Sequence, residues 1–163
     1  RSTESWGTGD LADLADLATL EALALRSVVS RFPDEDYSWA LEKLDAVESM
    51  IETAESEEQI VAANERFLEA DQEFHKYIVE HSGNERLITM INGLWAQIAV
   101  FQKAGTHVPG YVEVALRQHR EIITLLRAGR HTEAIDALQT HIRDMKTRII
   151  ADLAETEAEQ NKA

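Results

Sequence analysis

The sequence predicts an all-α fold, an antiparallel bundle of helices, and three observations carry that reading. Glycine (7) and proline (2) are scarce in 163 residues, whereas Ala, Leu, Glu and Ile are abundant; such a composition favours helices. Apolar residues recur about every 3.6 positions along six stretches, and no alternating pattern reads as a strand. The segments between the stretches are short, as antiparallel neighbours require. No internal repeat and no low-complexity segment appears.

The elements follow in order. "RSTESWGTGD", residues 1–10, is polar and without period, and reads as a linker or expression remnant. "LADLADLATLEALALRSVVSRF" places Leu14, Leu17, Glu21, Ala24, Leu25 and Val28 on one helical face. "PDED" ends that helix and offers acidic N-cap residues to the next. The second helix carries Leu41, Leu44, Val47 and Ile51. "SEEQ" at 56–59 matches a capping box, in which Ser and Gln side chains satisfy the first backbone N–H groups.

The third helix is expected to run to His81, with Phe67, Leu68, Phe74 and Ile78 buried. "SGN" stops it, Gly83 being suited to a left-handed position. A fourth stripe joins Leu87, Ile91, Leu94, Ile98 and Phe101, and "GTHVPG" is a loop. The fifth helix covers about 111–128 and the sixth about 132–154. Residues 155–163 form a charged tail expected to fray. Residues 11–154 are thus read as one helical domain.

Composition excludes several functions. A chain of this length buries enough surface to fold without disulfides, and it has no cysteine. Thiolate zinc sites and cysteine nucleophiles are therefore absent, and a cytoplasmic location is expected. No apolar run approaches the length of a membrane span. The net charge of −14, from 30 acidic and 16 basic residues, repels a phosphate backbone, so this chain is a poor nucleic-acid binder.

Helical phase divides the six histidines. His75 shares a face with Leu68, Asp71 and Ile78. His119 lies on the stripe of Val112, Leu116, Ile122 and Leu126, and His141 on that of Ile135, Leu138, Met145 and Ile149. His81 is at a helix end, suited to bonding the terminal carbonyls, while His107 and His131 fall in turns. One carboxylate and three imidazoles thus point inward from three helices, where unpartnered polar groups are costly. Two solutions exist. A divalent metal held by Asp71, His75, His119 and His141 resolves the cost, and this donor set suits zinc, nickel, cobalt or manganese. A buried polar network joining the helices also resolves it. A di-iron carboxylate centre is disfavoured, because no histidine has a glutamate three residues before it. No phosphate-binding glycine loop or nucleophile elbow occurs.

"ADQEFHKYIVEHSGNERL", then "LW", then "RQHREIITLLRAGRHTEAIDALQTHIRD" resemble the FCD domain, the C-terminal effector-binding domain of FadR-type GntR transcriptional regulators. Asp71, Phe74 and His75; Gly83 and Asn84; His119, Ile122 and Gly129; and Ala134 and His141 carry the match, which extends over about residues 11–153. The resemblance implies six or seven antiparallel helices around a central cavity. It implies a divalent ion, zinc foremost, on Asp71, His75, His119 and His141, the set that helical phase selects. It also implies a small organic acid as effector and a homodimer.

The chain departs from the family pattern in three places. Leu17 stands where the family's R-x-x-L-E motif has arginine, although Leu20 and Glu21 are kept. Ala99, Val100 and Phe101 stand where basic residues are usual. Both losses remove cations, so a smaller, less charged or more apolar effector is expected. Finally, the winged-helix DNA-binding domain that usually precedes this fold is not in the sequence, so an excised or a stand-alone effector domain is expected, with DNA contact belonging to the missing part. Glu21 is placed as an outer partner of a ligating histidine or a rim residue, and Glu21, Asn92, Gln97 and Gln102 are candidate ligand contacts.

The expected function is metal-dependent sensing and dimerisation within a transcriptional regulator, not catalysis. The alternatives are a metal-dependent hydrolase, for which Glu21 is the one further inward acid, and a purely structural dimerisation domain.

Overall fold

The computed structural model describes residues 8–28 and 32–161, with the side chains of 8–15 outside that description. Six helices follow one another: α1 Thr8–Val28, α2 Asp34–Glu52, α3 Glu57–Glu80, α4 Glu85–Gly105, α5 Tyr111–Arg127 and α6 His131–Gln160. No strand occurs among the described residues. Of the expected N-terminal linker, residues 8–10 instead open α1, and residues 1–7 lie outside the described residues.

The helix ends show local chemistry at work. Ser56 caps α3 by accepting from the Gln59 N–H, and Gln59 Oε1 accepts in return from the Glu55 N–H, one residue before the position a capping box predicts. "PDED" behaves differently from expectation. Pro33 is the N-cap of α2 without a side-chain cap, and Asp34, Glu35 and Asp36 fill the first turn, where their charge suits the helix dipole. Asn84 caps α4 through the Leu87 N–H, directly after Gly83 reverses the chain with φ of 67°.

α6 runs further than the charged tail suggested. Nothing between residues 131 and 160 is Gly or Pro, so no residue stops it, and it spans about 45 Å. Its last turns, from Glu155 onward, are exposed.

α1 packs on α3, α4 and α6; α5 packs on α2 and α6; α2 packs on α3. The core draws Leu25, Phe67, Ile91, Ile122 and Leu138 from five different helices; each such side chain contributes about 1.5–3 kcal/mol by leaving water. Leu68 and Phe74, expected to be buried, are only half-buried. Phe74 nonetheless turns its ring onto His119, at 4.7 Å between centroids. No helix among the described residues is long and apolar enough to cross a membrane.

Candidate metal centre

The four helices α1, α3, α5 and α6 bring one group of polar side chains into the core. Asp71 and His75 lie one turn apart on α3, so they leave the helix on the same side. His119 comes from α5 and His141 from α6. All four are buried, and one ligand atom from each lies within 4.8 Å of the others. Asp71 Oδ1 is 3.0 Å from His119 Nε2 and 3.3 Å from His75 Nε2. His119 Nε2 and His141 Nε2 are 3.0 Å apart. Donors bound about 2.0–2.2 Å from a zinc ion stand roughly 3.0–3.5 Å from one another, so the three pair distances of 3.0–3.3 Å fit such an ion.

The far sides of two rings are fixed by hydrogen bonds. His75 Nδ1–H donates to Glu21 Oε2 at 2.6 Å. His141 Nδ1–H donates to Gln118 Oε1 at 2.8 Å, and Gln118 Nε2 donates onward to Asp144 Oδ2 at 2.7 Å. With protons on Nδ1, both rings turn Nε2 toward the centre, the atom a metal ligand offers once it carries no proton. His119 is held by packing instead. Phe67 and Phe74 stack on it at 24° and 28°, and its buried Nδ1 has no hydrogen-bond partner.

Buried electrostatics set the three histidines apart. Burial opposes a charge on His75, but Glu21 and Asp71 outweigh it and push its pKa up to about 10. Burial also opposes the charged form of Asp71, yet the His119 hydrogen bond and the His75 charge hold it well below the carboxylate range. Burial drives His119 and His141 below the ordinary imidazole value. Two inward carboxylates facing three imidazoles match one divalent cation in charge.

Beside the four residues lies a cavity of about 40 Å³ lined by Leu17, Ile98, Phe101, Gln102, Tyr111, Ile142, Met145 and Lys146, with Asp71, His75 and His141 at one wall. Gly105 packs beneath Tyr111, with no room for a side chain: a Cβ there would meet the ring at 2.4–2.8 Å.

The other expected contacts separate. Glu21 is fully buried against His75, away from the cavity lining. Gln102 is buried and lines the cavity. Asn92 and Gln97 do not reach it: both are exposed, Asn92 on a separate groove with Gln72, Lys76 and Trp95. α4 turns Ile91 and Ile98 inward, which carries the residues beside them outward. Tyr111, Gln118, Asp144 and Lys146 were not foreseen. Tyr111 is eight positions before His119 and so shares its face, a usable clue; Lys146 sits on the flank of the His141 stripe. Gln118 points sideways from His119 to reach α6, and no local pattern marks it. His81 donates Nδ1–H to the Tyr77 carbonyl at 2.9 Å, as its place at the helix end suggested.

Comparison with solved structures gives the same architecture. The chain aligns with the metal-free FCD domain of TM0439, a proposed transcriptional regulator, with a TM-score of 0.72 and 20% identity, covering 93% of this chain and 99% of that one. It also aligns with the Zn2+-bound FCD domain of TM0439, with a TM-score of 0.57 and 22% identity, covering 89% and 94%. No curated protein matches the chain. The FCD domain model matches residues 14–144, most of the chain, and the chain therefore belongs to the FCD domain family.

Proposed function

We propose that this chain is the metal-dependent sensing and dimerisation domain of a GntR-type transcriptional regulator. The observation that carries the reading is the convergence of Asp71, His75, His119 and His141, with the outer nitrogens of His75 and His141 already committed to acceptors. A divalent ion there, zinc first among zinc, nickel, cobalt and manganese, supplies a Lewis-acid contact at the cavity wall. A small carboxylate entering the cavity becomes the effector. The residues around it belong to five helices, so its binding biases their packing, and in a homodimer that shift resets the spacing of attached DNA-binding domains.

The zinc-bound state of the TM0439 domain supports the choice of ion. Catalysis finds less support. Among the described residues, Asp71 is the only carboxylate lining the cavity, and it belongs to the ligand set, which leaves no separate carboxylate base.

The test is elemental analysis of protein purified without added metal, followed by zinc titration. One equivalent of divalent metal, lost in the His119→Ala/His141→Ala double variant, supports the reading. Absence of metal together with unchanged stability of that variant defeats it. A thermal-shift screen of short carboxylates on the zinc-loaded chain then separates sensing from a purely structural role.

A further inference from the structure

We infer that Lys146 and Gln102 select the effector, restricting the cavity to a compact monoanion that also carries or recruits a hydrogen-bond donor. The inference rests on the metal reading above and concerns two other residues that line the same cavity.

The first argument is charge. Glu21 and Asp71 together cancel a divalent ion, and neutral imidazoles add nothing. Tyr111 stays a neutral phenol, because burial, and secondarily the Asp71 charge, raise its pKa far above neutrality. The remaining lining is apolar apart from Gln102 and Lys146. Lys146 is half-buried, and it forms no ion pair among the described residues. The loaded cavity therefore presents one net positive charge. A monoanion neutralises it, whereas a dianion leaves a second negative charge beside a mostly apolar lining, where an uncompensated charge is unfavourable.

The second argument is an orphaned group. Gln102 is 8% exposed, and its Oε1 is buried without a hydrogen-bond partner. It lines the same cavity as Lys146. Buried amide oxygens are almost always satisfied, so this one marks the place of a donor from a ligand or a ligand-held water. The third argument is size. A cavity of about 40 Å³ has space for roughly three waters, which suits a short carboxylate.

The experiment is calorimetry on the zinc-loaded chain at fixed ionic strength, with acetate, succinate and acetamide as probes, and with zinc affinity measured separately by chelator competition. Acetate is expected to bind at least about tenfold more tightly than either other probe, the loss that follows from one missing or one uncompensated charge. Lys146→Gln is expected to weaken acetate about tenfold with zinc affinity unchanged, and Lys146→Arg to restore it. Gln102→Leu is expected to weaken acetate while leaving zinc affinity unchanged. Equal binding of succinate and acetate, or acetate affinity unaltered in Lys146→Gln, overturns the inference while the metal reading stands. Failure to hold zinc in the unaltered chain overturns both.

Discussion

Glu21 and His75, 54 residues apart in sequence, share a buried hydrogen bond of 2.6 Å between Oε2 and Nδ1. The bond fixes the tautomer of a proposed ligand and raises its basicity. Outer partners of metal-bound histidines typically contribute 10–100-fold to affinity. Glu21→Gln keeps the shape but removes the charge. Its zinc affinity should fall by about 10–100-fold in competition titrations, while its helical circular dichroism stays native. Unchanged affinity would mean that Glu21 only fills space.

The pH dependence follows from the shifted imidazoles. In the metal-free chain His75 titrates near 10, against about 6.5 unfolded. Its contribution to stability is thus fully present below about 6.5 and is lost as pH rises to about 10. His119 and His141 are lowered, so they favour the folded state above about 6.5 and oppose it as pH falls below that value. Metal-free stability should peak near neutrality, which urea unfolding across pH will show. Zinc must displace the His75 proton, so its affinity should rise about tenfold per pH unit between 7 and 9. A pH-independent zinc constant over that range contradicts the assigned His75 protonation.

Zinc should stabilise the domain in proportion to occupancy. At a free concentration a hundred times Kd, the gain is about 2.7 kcal/mol, or roughly 5–10 °C in Tm for a chain of this size. Differential scanning calorimetry with and without a chelator measures it. The shift should vanish in Asp71→Ala; a persistent shift would place the ion elsewhere.

Gly105 should resist substitution. In Gly105→Ala the new methyl meets Tyr111 ring carbons at 2.4–2.8 Å, and a ring is a poor candidate for small adjustment. The variant should lose about 1–3 kcal/mol in urea unfolding. Because Tyr111 lines the cavity, effector binding should weaken too, whereas Gly93→Ala, which meets nothing within 4 Å inside α4, should leave binding unchanged and gain up to about 1 kcal/mol.

Much of this centre was legible in the sequence because helices convert spacing into direction. Asp71 and His75 are one turn apart, and His119 and His141 fall on unbroken apolar stripes, so phase alone turned all four inward. The same logic faltered on α4. Asn92 and Gln97 adjoin buried Ile91 and Ile98, and a rotation of one residue carries a side chain from core to surface. Gln102 lies four residues after Ile98 and stayed inside. Gln118 was invisible for a different reason: its partners His141 and Asp144 belong to α6, and only tertiary packing brings them within reach. The end of α6 was misread because charge alone does not stop a helix when neither glycine nor proline follows.

The distribution of the inward donors over α3, α5 and α6 also has a consequence for assembly. The pair on α3 can form as soon as one helix turns, but two donors make a poor cage. His119 and His141 join them only after the α5–α6 hairpin has docked. An unfolded chain therefore offers nothing comparable, and the whole binding free energy of any ion held there counts toward folding. An ion bound by all four donors would report a closed bundle, so metal content would set a lower bound on the properly folded fraction in a preparation.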